Sequence, residues 1–100
     1  MRNKITYFQI LDEIYSIIHS RKKTKKRNSY TYKILKLGNK KIAQKVAEES
    51  SELIIDFLNG SKKRTTEEAS DLLYHIMLLL YAKNILPSDI AKELRSRYKK

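Results

Sequence analysis

Apolar residues recur every three or four positions along most of the chain, which is the spacing of helices that bury one face. Only two glycines and one proline interrupt this pattern. We therefore predict an all-α fold, a bundle of four to five helices that forms a single domain over residues 1–100. The predicted helical segments cover residues 6–19, 29–37, 40–58 and 65–83, and a last one begins at Pro87.

The ends of these segments are predicted from local signals. Asn59-Gly60 indicates a left-handed residue that closes the helix before it. Thr65 and Glu68 have the spacing of a capping box at the start of the next helix. Residues 21–28 are rich in Lys and Arg and lack apolar periodicity, so we predict a mobile basic loop there.

The segment over residues 72–82 is apolar on nearly every side apart from Tyr74, His75 and Tyr81. A helix of this kind has to be surrounded by other helices, and a chain of 100 residues offers little cover. We therefore predict a homodimer with this helix in an intersubunit helical core.

The composition of the chain excludes several classes of site and of protein. The chain has no cysteine, which excludes disulfides, thiolate metal sites and cysteine nucleophiles and is compatible with a reducing compartment. Its longest apolar run, residues 76–82, is far shorter than the roughly 20 residues that span a bilayer, and its start lacks the apolar core of a secretory signal. We expect a cytoplasmic protein without a membrane partner.

The acidic residues are unevenly placed in this basic chain of net charge +11, since seven of the eleven lie between Glu48 and Asp71. Glu48, Glu49 and Glu52 are like charges on adjacent turns, which destabilises a helix unless a cation neutralises them. A second pair, Glu68 and Asp71, would face them if the two helices pack antiparallel. Such a cage of carboxylate oxygens suits Mg²⁺, with Mn²⁺ as the alternative. The competing interpretations are a solvated acidic face and, for Glu68, a purely capping role.

Carboxylates alone would repel a triphosphate, so a site for such a substrate also needs cations. Lys41, Lys45 and the basic run at residues 21–27 are candidates. The net charge of +11 also raises the alternative of a helical nucleic-acid-binding protein. We consider it the weaker hypothesis because the acids cluster in mid-chain, where a DNA-facing helix would be basic.

Two acidic motifs resemble those of a known superfamily. Glu48-Glu49-Ser50-Ser51-Glu52 and Glu68-Ala69-Ser70-Asp71 match the EExxE and ExxD pattern of the all-α nucleotide pyrophosphohydrolases. Four further stretches narrow the resemblance to the phosphoribosyl-ATP pyrophosphohydrolase family: Ser29-Tyr30-Thr31, Leu37-Gly38, Lys45-Val46-Ala47-Glu48-Glu49 and Asp71-Leu72-Leu73-Tyr74-His75.

This resemblance implies Mg²⁺-dependent hydrolysis of phosphoribosyl-ATP to phosphoribosyl-AMP and pyrophosphate, a step of histidine biosynthesis. It implies that metal is held by Glu49, Glu52, Glu68 and Asp71. Glu48 and Glu49 are the expected catalytic residues, Glu48 being either a further ligand or the group that orients the attacking water. The expected substrate-binding residues are Arg21, Ser29, Thr31, Lys41, Lys45 and His75, the last with a buried structural role as the alternative. A pyrophosphohydrolase that clears non-standard nucleoside triphosphates is the rival function, because it would use the same carboxylates.

Overall fold

A computed structural model describes residues 7–25 and 29–98 of the chain, and these form five helices without a strand. The prediction of an all-α bundle of four to five helices is therefore confirmed. In chain order, the helices are α1 (Tyr7–Thr24), α2 (Tyr30–Leu37), α3 (Asn39–Asn59), α4 (Lys62–Ala82) and α5 (Pro87–Tyr98).

The core lies where α4 meets the three helices that precede it. Ile18 of α1, Ile34 of α2, Ile42 of α3, and Met77 and Leu78 of α4 are its buried apolar side chains. All five belong to the apolar faces that helical periodicity predicts. These faces turn inward because removing apolar area from water is the main favourable contribution to folding. The second half of α4 is thus the centre of this core.

Helices α3 and α4 make the most extensive contact of the fold, and the tight Gly60-Ser61 link makes them a hairpin. Ser61 is the N-cap of α4, and its hydroxyl accepts a hydrogen bond from the backbone N–H of Arg64 at 3.1 Å. The predicted capping box at Thr65 and Glu68 is wrong, since the Thr65 hydroxyl donates instead to the carbonyls of Asp56 at 3.1 Å and Ser61 at 2.8 Å. Helix α4 begins three residues earlier because Ser61 provides a complete cap there.

Of the two glycines, Gly38 rather than Gly60 has a positive φ. Gly38, which separates α2 from α3, has φ +99°. A Cβ at Gly38 would meet nothing within 4 Å, so a substitution there is disfavoured by backbone conformation rather than by space. Gly60 has φ −100°, and the prediction that Asn59-Gly60 supplies a left-handed residue is therefore wrong.

Helix α1 continues beyond its predicted end at His19 through Thr24, so the first part of the predicted basic loop is helical. Arg21, Lys22 and Lys23 form its last turn. Cations are favourable at that position because the carboxyl end of a helix carries a partial negative charge. Residues 26–28 of the predicted loop lie outside the described residues.

Several large apolar side chains of the α3–α4 hairpin lie outside this core. Ile54, Phe57 and Leu58 of α3 and Leu73 of α4 are at least half exposed. Phe57 and Leu73 line one side of the hairpin together, in a cleft of about 500 Å³. Within the described ranges, no helix has the length and apolar character needed to cross a bilayer.

Candidate functional site

Three carboxylates converge between α3 and α4. One oxygen each from Glu49 of α3 and from Glu68 and Asp71 of α4 lie within 4.8 Å of one another. Glu68 and Asp71 are three residues apart and therefore point from neighbouring turns of α4 to the same side. The acids of the two helices face each other as the antiparallel packing predicts.

Glu68 is the most constrained member of this acid cluster. It is 5% exposed, and its Oε2 is a buried side-chain oxygen without a hydrogen-bond partner among the described residues. Burial raises the pKa of Glu68 to about 7, and the adjacent Glu49 carboxylate together with the negative charges of Glu52 and Asp71 adds to the increase. A buried carboxylate in this setting is stable only if a proton or a cation neutralises it.

The other two predicted acids take different places. Glu52 is exposed and one turn from Glu49 on α3, near enough for its charge to raise the pKa of Glu68. Glu48 is exposed and turns to its own helix, where Gln44 Nε2 donates to Oε2 at 2.9 Å and Lys45 Nζ donates to Oε1 at 3.2 Å. Their predicted roles as ligand and water-orienting group stay predictions.

Positive charges flank the acid cluster. The Lys45 ammonium pairs with Glu48, and this hydrogen bond raises the pKa of Lys45. The charge of Lys41 lowers the pKa of Glu48 after the stronger effects of the Gln44 and Lys45 hydrogen bonds, so Lys41 lies on the same side. These cations can bind phosphate oxygens next to the carboxylates.

Tyr30 and His75 connect α2 to the acid cluster. His75 is buried, its Nδ1 lies 2.7 Å from the backbone carbonyl oxygen of Asp71, and its Nε2 lies 2.7 Å from the Tyr30 hydroxyl. A carbonyl only accepts, so Nδ1 carries the proton, and in the neutral ring Nε2 accepts the hydroxyl proton of Tyr30. Both nitrogens of His75 are thereby engaged, as the structural alternative for this residue requires.

The predicted substrate-binding hydroxyls also have structural partners. Ser29 caps α2 by accepting from the backbone N–H of Tyr32 at 3.2 Å, and Thr31 hydrogen-bonds the Tyr74 hydroxyl. Burial raises the pKa of Tyr74, whereas the charge of Arg21 lowers it, so the Arg21 guanidinium is near this pair. Ser29 and Thr31 are both buried, and a contact with substrate stays a prediction for each.

Two residues of this region make contacts that were not predicted from the sequence. Tyr30 lies within a quoted motif, but its partner on α4 is 45 positions away. Arg64 contacts both Asp56 and Glu68, the latter at 3.4 Å. The i,i+4 spacing of Arg64 and Glu68 is the local signal that could have identified the second of these contacts.

The composition of the acid cluster fits a hard divalent cation. All its donors are carboxylate oxygens, which Mg²⁺ and Mn²⁺ prefer over nitrogen or sulfur. The unpartnered, buried Oε2 of Glu68 needs a positive partner that the described side chains do not supply. The arrangement can therefore hold a cation next to a group of phosphates.

Comparison with known proteins agrees with this chemistry. The model of the phosphoribosyl-ATP pyrophosphohydrolase family matches residues 11–98. The "Phosphoribosyl-ATP pyrophosphatase" of Sulfolobus acidocaldarius is 48% identical over 91 residues, which are 91% of this chain and 96% of the relative. That of Sulfurisphaera tokodaii is 41% identical over 90% of this chain and 96% of its own length. A histidine biosynthesis bifunctional protein of Caldanaerobacter subterraneus is 45% identical over 92% of this chain and 45% of its own length.

Proposed function

This chain belongs to the phosphoribosyl-ATP pyrophosphohydrolase family, and on that premise we propose that it hydrolyses phosphoribosyl-ATP to phosphoribosyl-AMP and pyrophosphate in histidine biosynthesis, with Mg²⁺ held by Glu49, Glu68 and Asp71. Water adds to a phosphorus of the α,β-phosphoanhydride, and the bond to the bridging oxygen breaks. The products are the monophosphate and pyrophosphate.

The convergence of Glu49, Glu68 and Asp71 within 4.8 Å is the observation that carries the proposal. Like charges this close repel one another, and folding around them is favourable only if they serve a cation or share protons. When bound, a divalent cation supplies Lewis-acid activation of the phosphoanhydride. Mn²⁺ has the same ligand preference and is the expected substitute.

The surrounding residues bind and orient the substrate in this proposal. Lys45 and Lys41 offset the negative charge that the acid cluster presents to a triphosphate. Arg21, near Tyr74, provides a further positive charge from α1. Glu48, held by Gln44 and Lys45, is an exposed carboxylate at the edge of the cluster and can orient water there.

A substrate panel tests the reaction. Phosphoribosyl-ATP, ATP and several deoxynucleoside triphosphates are supplied at equal concentration with Mg²⁺, and the release of pyrophosphate is measured. We expect kcat/KM for phosphoribosyl-ATP to exceed every other value by at least about 100-fold, since a pocket shaped for one substrate separates it from analogues by several kcal/mol. Equal or faster turnover of the ordinary triphosphates would identify the rival function instead.

We also propose that the active form is a homodimer. Ile54, Phe57 and Leu58 of α3 are 58%, 72% and 68% exposed, and Leu73 of α4 is 50% exposed. The three residues of α3 share one side of the helix by their spacing, and Phe57 lines a cleft together with Leu73. Exposed apolar side chains grouped in this way are unfavourable in water and are typical of an interface. A second copy of this chain is its proposed partner, since pairing two hairpins by the same face would cover these four side chains in both copies.

Light scattering coupled to size-exclusion chromatography measures the oligomeric state directly. Wild-type protein is expected at twice the chain mass, and Phe57→Glu at the mass of one chain because it buries a charge in the interface. Tyr98→Glu is the matched control, since Tyr98 is similarly exposed at 71% but lies at the end of α5. A monomeric wild type would remove the proposal, and so would a dimeric Phe57→Glu variant.

We propose the cytoplasm as the location. The lack of cysteine agrees with a reducing compartment, and a relative is named for histidine biosynthesis. Detection of the protein in the cytosolic fraction of gently lysed cells is the expected result, whereas recovery with the membrane fraction would contradict it.

A further inference from the structure

Arg64 joins carboxylates from both helices of the α3–α4 hairpin. Its Nη1 lies 2.7 Å from Glu67 Oε1, and its Nη2 lies 3.4 Å from Glu68 Oε1 and 3.6 Å from Asp56 Oδ2. Asp56 belongs to the end of α3, whereas the other two acids belong to α4. The planar guanidinium can satisfy several carboxylates at fixed angles, which a lysine cannot do.

The position of Arg64 is otherwise unfavourable. It follows Lys62 and Lys63 in the first turn of α4, which contains no acid. The amino end of a helix carries a partial positive charge, so three cations there oppose the helix dipole. The contacts of Arg64 with three carboxylates offset this cost and explain why its side chain turns toward the hairpin.

The two oxygens of Glu68 have different surroundings. Oε1 is within reach of Arg64, while Oε2 is buried and has no hydrogen-bond partner among the described residues. The Glu68 side chain is only 6% exposed and has little room to rotate. Oε2 is therefore the atom left for a ligand.

We propose that Arg64 is a positioning residue for the metal site: it holds Glu68 through Oε1, so that Oε2 is presented to a divalent cation shared with Glu49 and Asp71. The inference rests on the proposed function, because the cation is part of it. Arg64 lies outside the set of metal ligands and acts through Glu68.

The positive guanidinium of Arg64 also repels a cation, and this repulsion opposes metal binding. The Arg64 side chain is 52% exposed, so water and salt screen its charge strongly. Removal of an outer partner that orients a ligating side chain usually weakens metal binding by about 10–100-fold. Orientation therefore outweighs repulsion, and the loss of Arg64 should weaken binding.

Binding of Mn²⁺ alone, followed by the electron paramagnetic resonance signal of the free ion at fixed pH and salt, tests this. We expect Arg64→Gln to raise the Kd for Mn²⁺ by about tenfold. Arg64→Lys keeps the charge without the planar fork and should give a smaller increase. Arg97→Gln is the matched control, since Arg97 makes an i−4 ion pair with Glu93 at 2.8 Å on α5, and its Kd should stay within about twofold of wild type.

An unchanged or lower Kd in Arg64→Gln, with circular dichroism and Tm close to wild type, would overturn the inference. The proposed function is judged separately by turnover of phosphoribosyl-ATP. A wild type that binds Mn²⁺ but hydrolyses nothing would refute the function, and the ratio of the two Kd values would still decide the role of Arg64. A wild type that binds no Mn²⁺ would refute both.

Discussion

The two halves of α4 differ in what they bury. The first half places Glu68 and Asp71 opposite Glu49, with one buried oxygen that has no hydrogen-bond partner among the residues that the structure describes. The second half places Met77 and Leu78 in the core, and both are at most 2% exposed. The first half of this helix therefore destabilises the folded state, whereas the second half stabilises it.

The difference shows how a chain of 100 residues can carry a charged site. Buried like charges are tolerated because the adjacent apolar turns, packed against α1, α2 and α3, stabilise the same helix. We therefore expect substitutions in the acid cluster, and in the residues of α2 and α3 that contact this part of α4, to change activity more than stability. Substitutions of the core residues in the second half should do the reverse. Four experiments test this division.

The largest effect is expected from Glu49→Gln, which removes one charge from the acid cluster without changing its shape. We predict a fall in kcat/KM of about 10³-fold, that is, about 4 kcal/mol of transition-state stabilisation. The Tm should stay equal or rise because the repulsion decreases. Glu93→Gln, on the exposed surface of α5, is the matched control and should keep full activity. Retained turnover in Glu49→Gln would contradict the metal assignment.

Leu78→Ala is the counterpart in the second half. Leu78 is fully buried, and its truncation should lower the free energy of unfolding by about 3 kcal/mol. Chemical denaturation measures this, and Leu94→Ala, at 46% exposure, should cost less than about 1 kcal/mol. The folded fraction of Leu78→Ala should keep a kcat within about threefold of wild type. A larger loss in kcat would show that the two halves are not separable.

Tyr30→Phe tests the connection between α2 and the acid cluster. It leaves Nε2 of the buried His75 without its 2.7 Å partner, which should cost about 1 kcal/mol of stability. Because His75 also bonds the backbone of Asp71, we expect kcat/KM to fall by about tenfold. Tyr32→Phe, on the same helix, lacks this bond and should behave as wild type. Equal stability and equal kcat/KM in the two variants would show that the Tyr30–His75 hydrogen bond does not contribute to the site.

The smallest effect concerns pH. Since the pKa of Glu68 is raised from 4.5 to about 7, the folded cation-free protein holds this proton more tightly than the unfolded chain does. Stability is therefore lost as the pH rises from about 4.5 to 7, in the sense given by proton linkage. Glu68→Gln has no proton to lose there, so its Tm should fall less over this range than that of wild type. Parallel curves of Tm against pH for the two proteins would show that the surroundings of Glu68 do not raise its pKa.

Much of the fold follows from local patterns. Period-3.6 spacing identified the five helical segments. The acid pairs at i,i+3 on α3 and α4 predicted that acids of the two helices face each other, and the structure brings Glu49, Glu68 and Asp71 together. Two helix ends were predicted less well. Helix α1 continues to Thr24 because the basic residues of its last turn are favourable at a carboxyl end. Helix α4 begins already at Lys62 because Ser61 caps it, and apolar periodicity does not reveal either extension.

The spacing of residues along the chain was sufficient for the helices and for which carboxylates share a face, because both depend on contacts within one or two turns. The packing of separate helices decided the rest: the Tyr30 hydroxyl on His75, the exposure of Glu52, and the contact of Arg64 with Asp56. Such contacts join residues that no repeat relates, and they depend on the angle and register at which two helices meet. Those quantities are set by side-chain packing over the whole core, which a one-dimensional pattern does not contain.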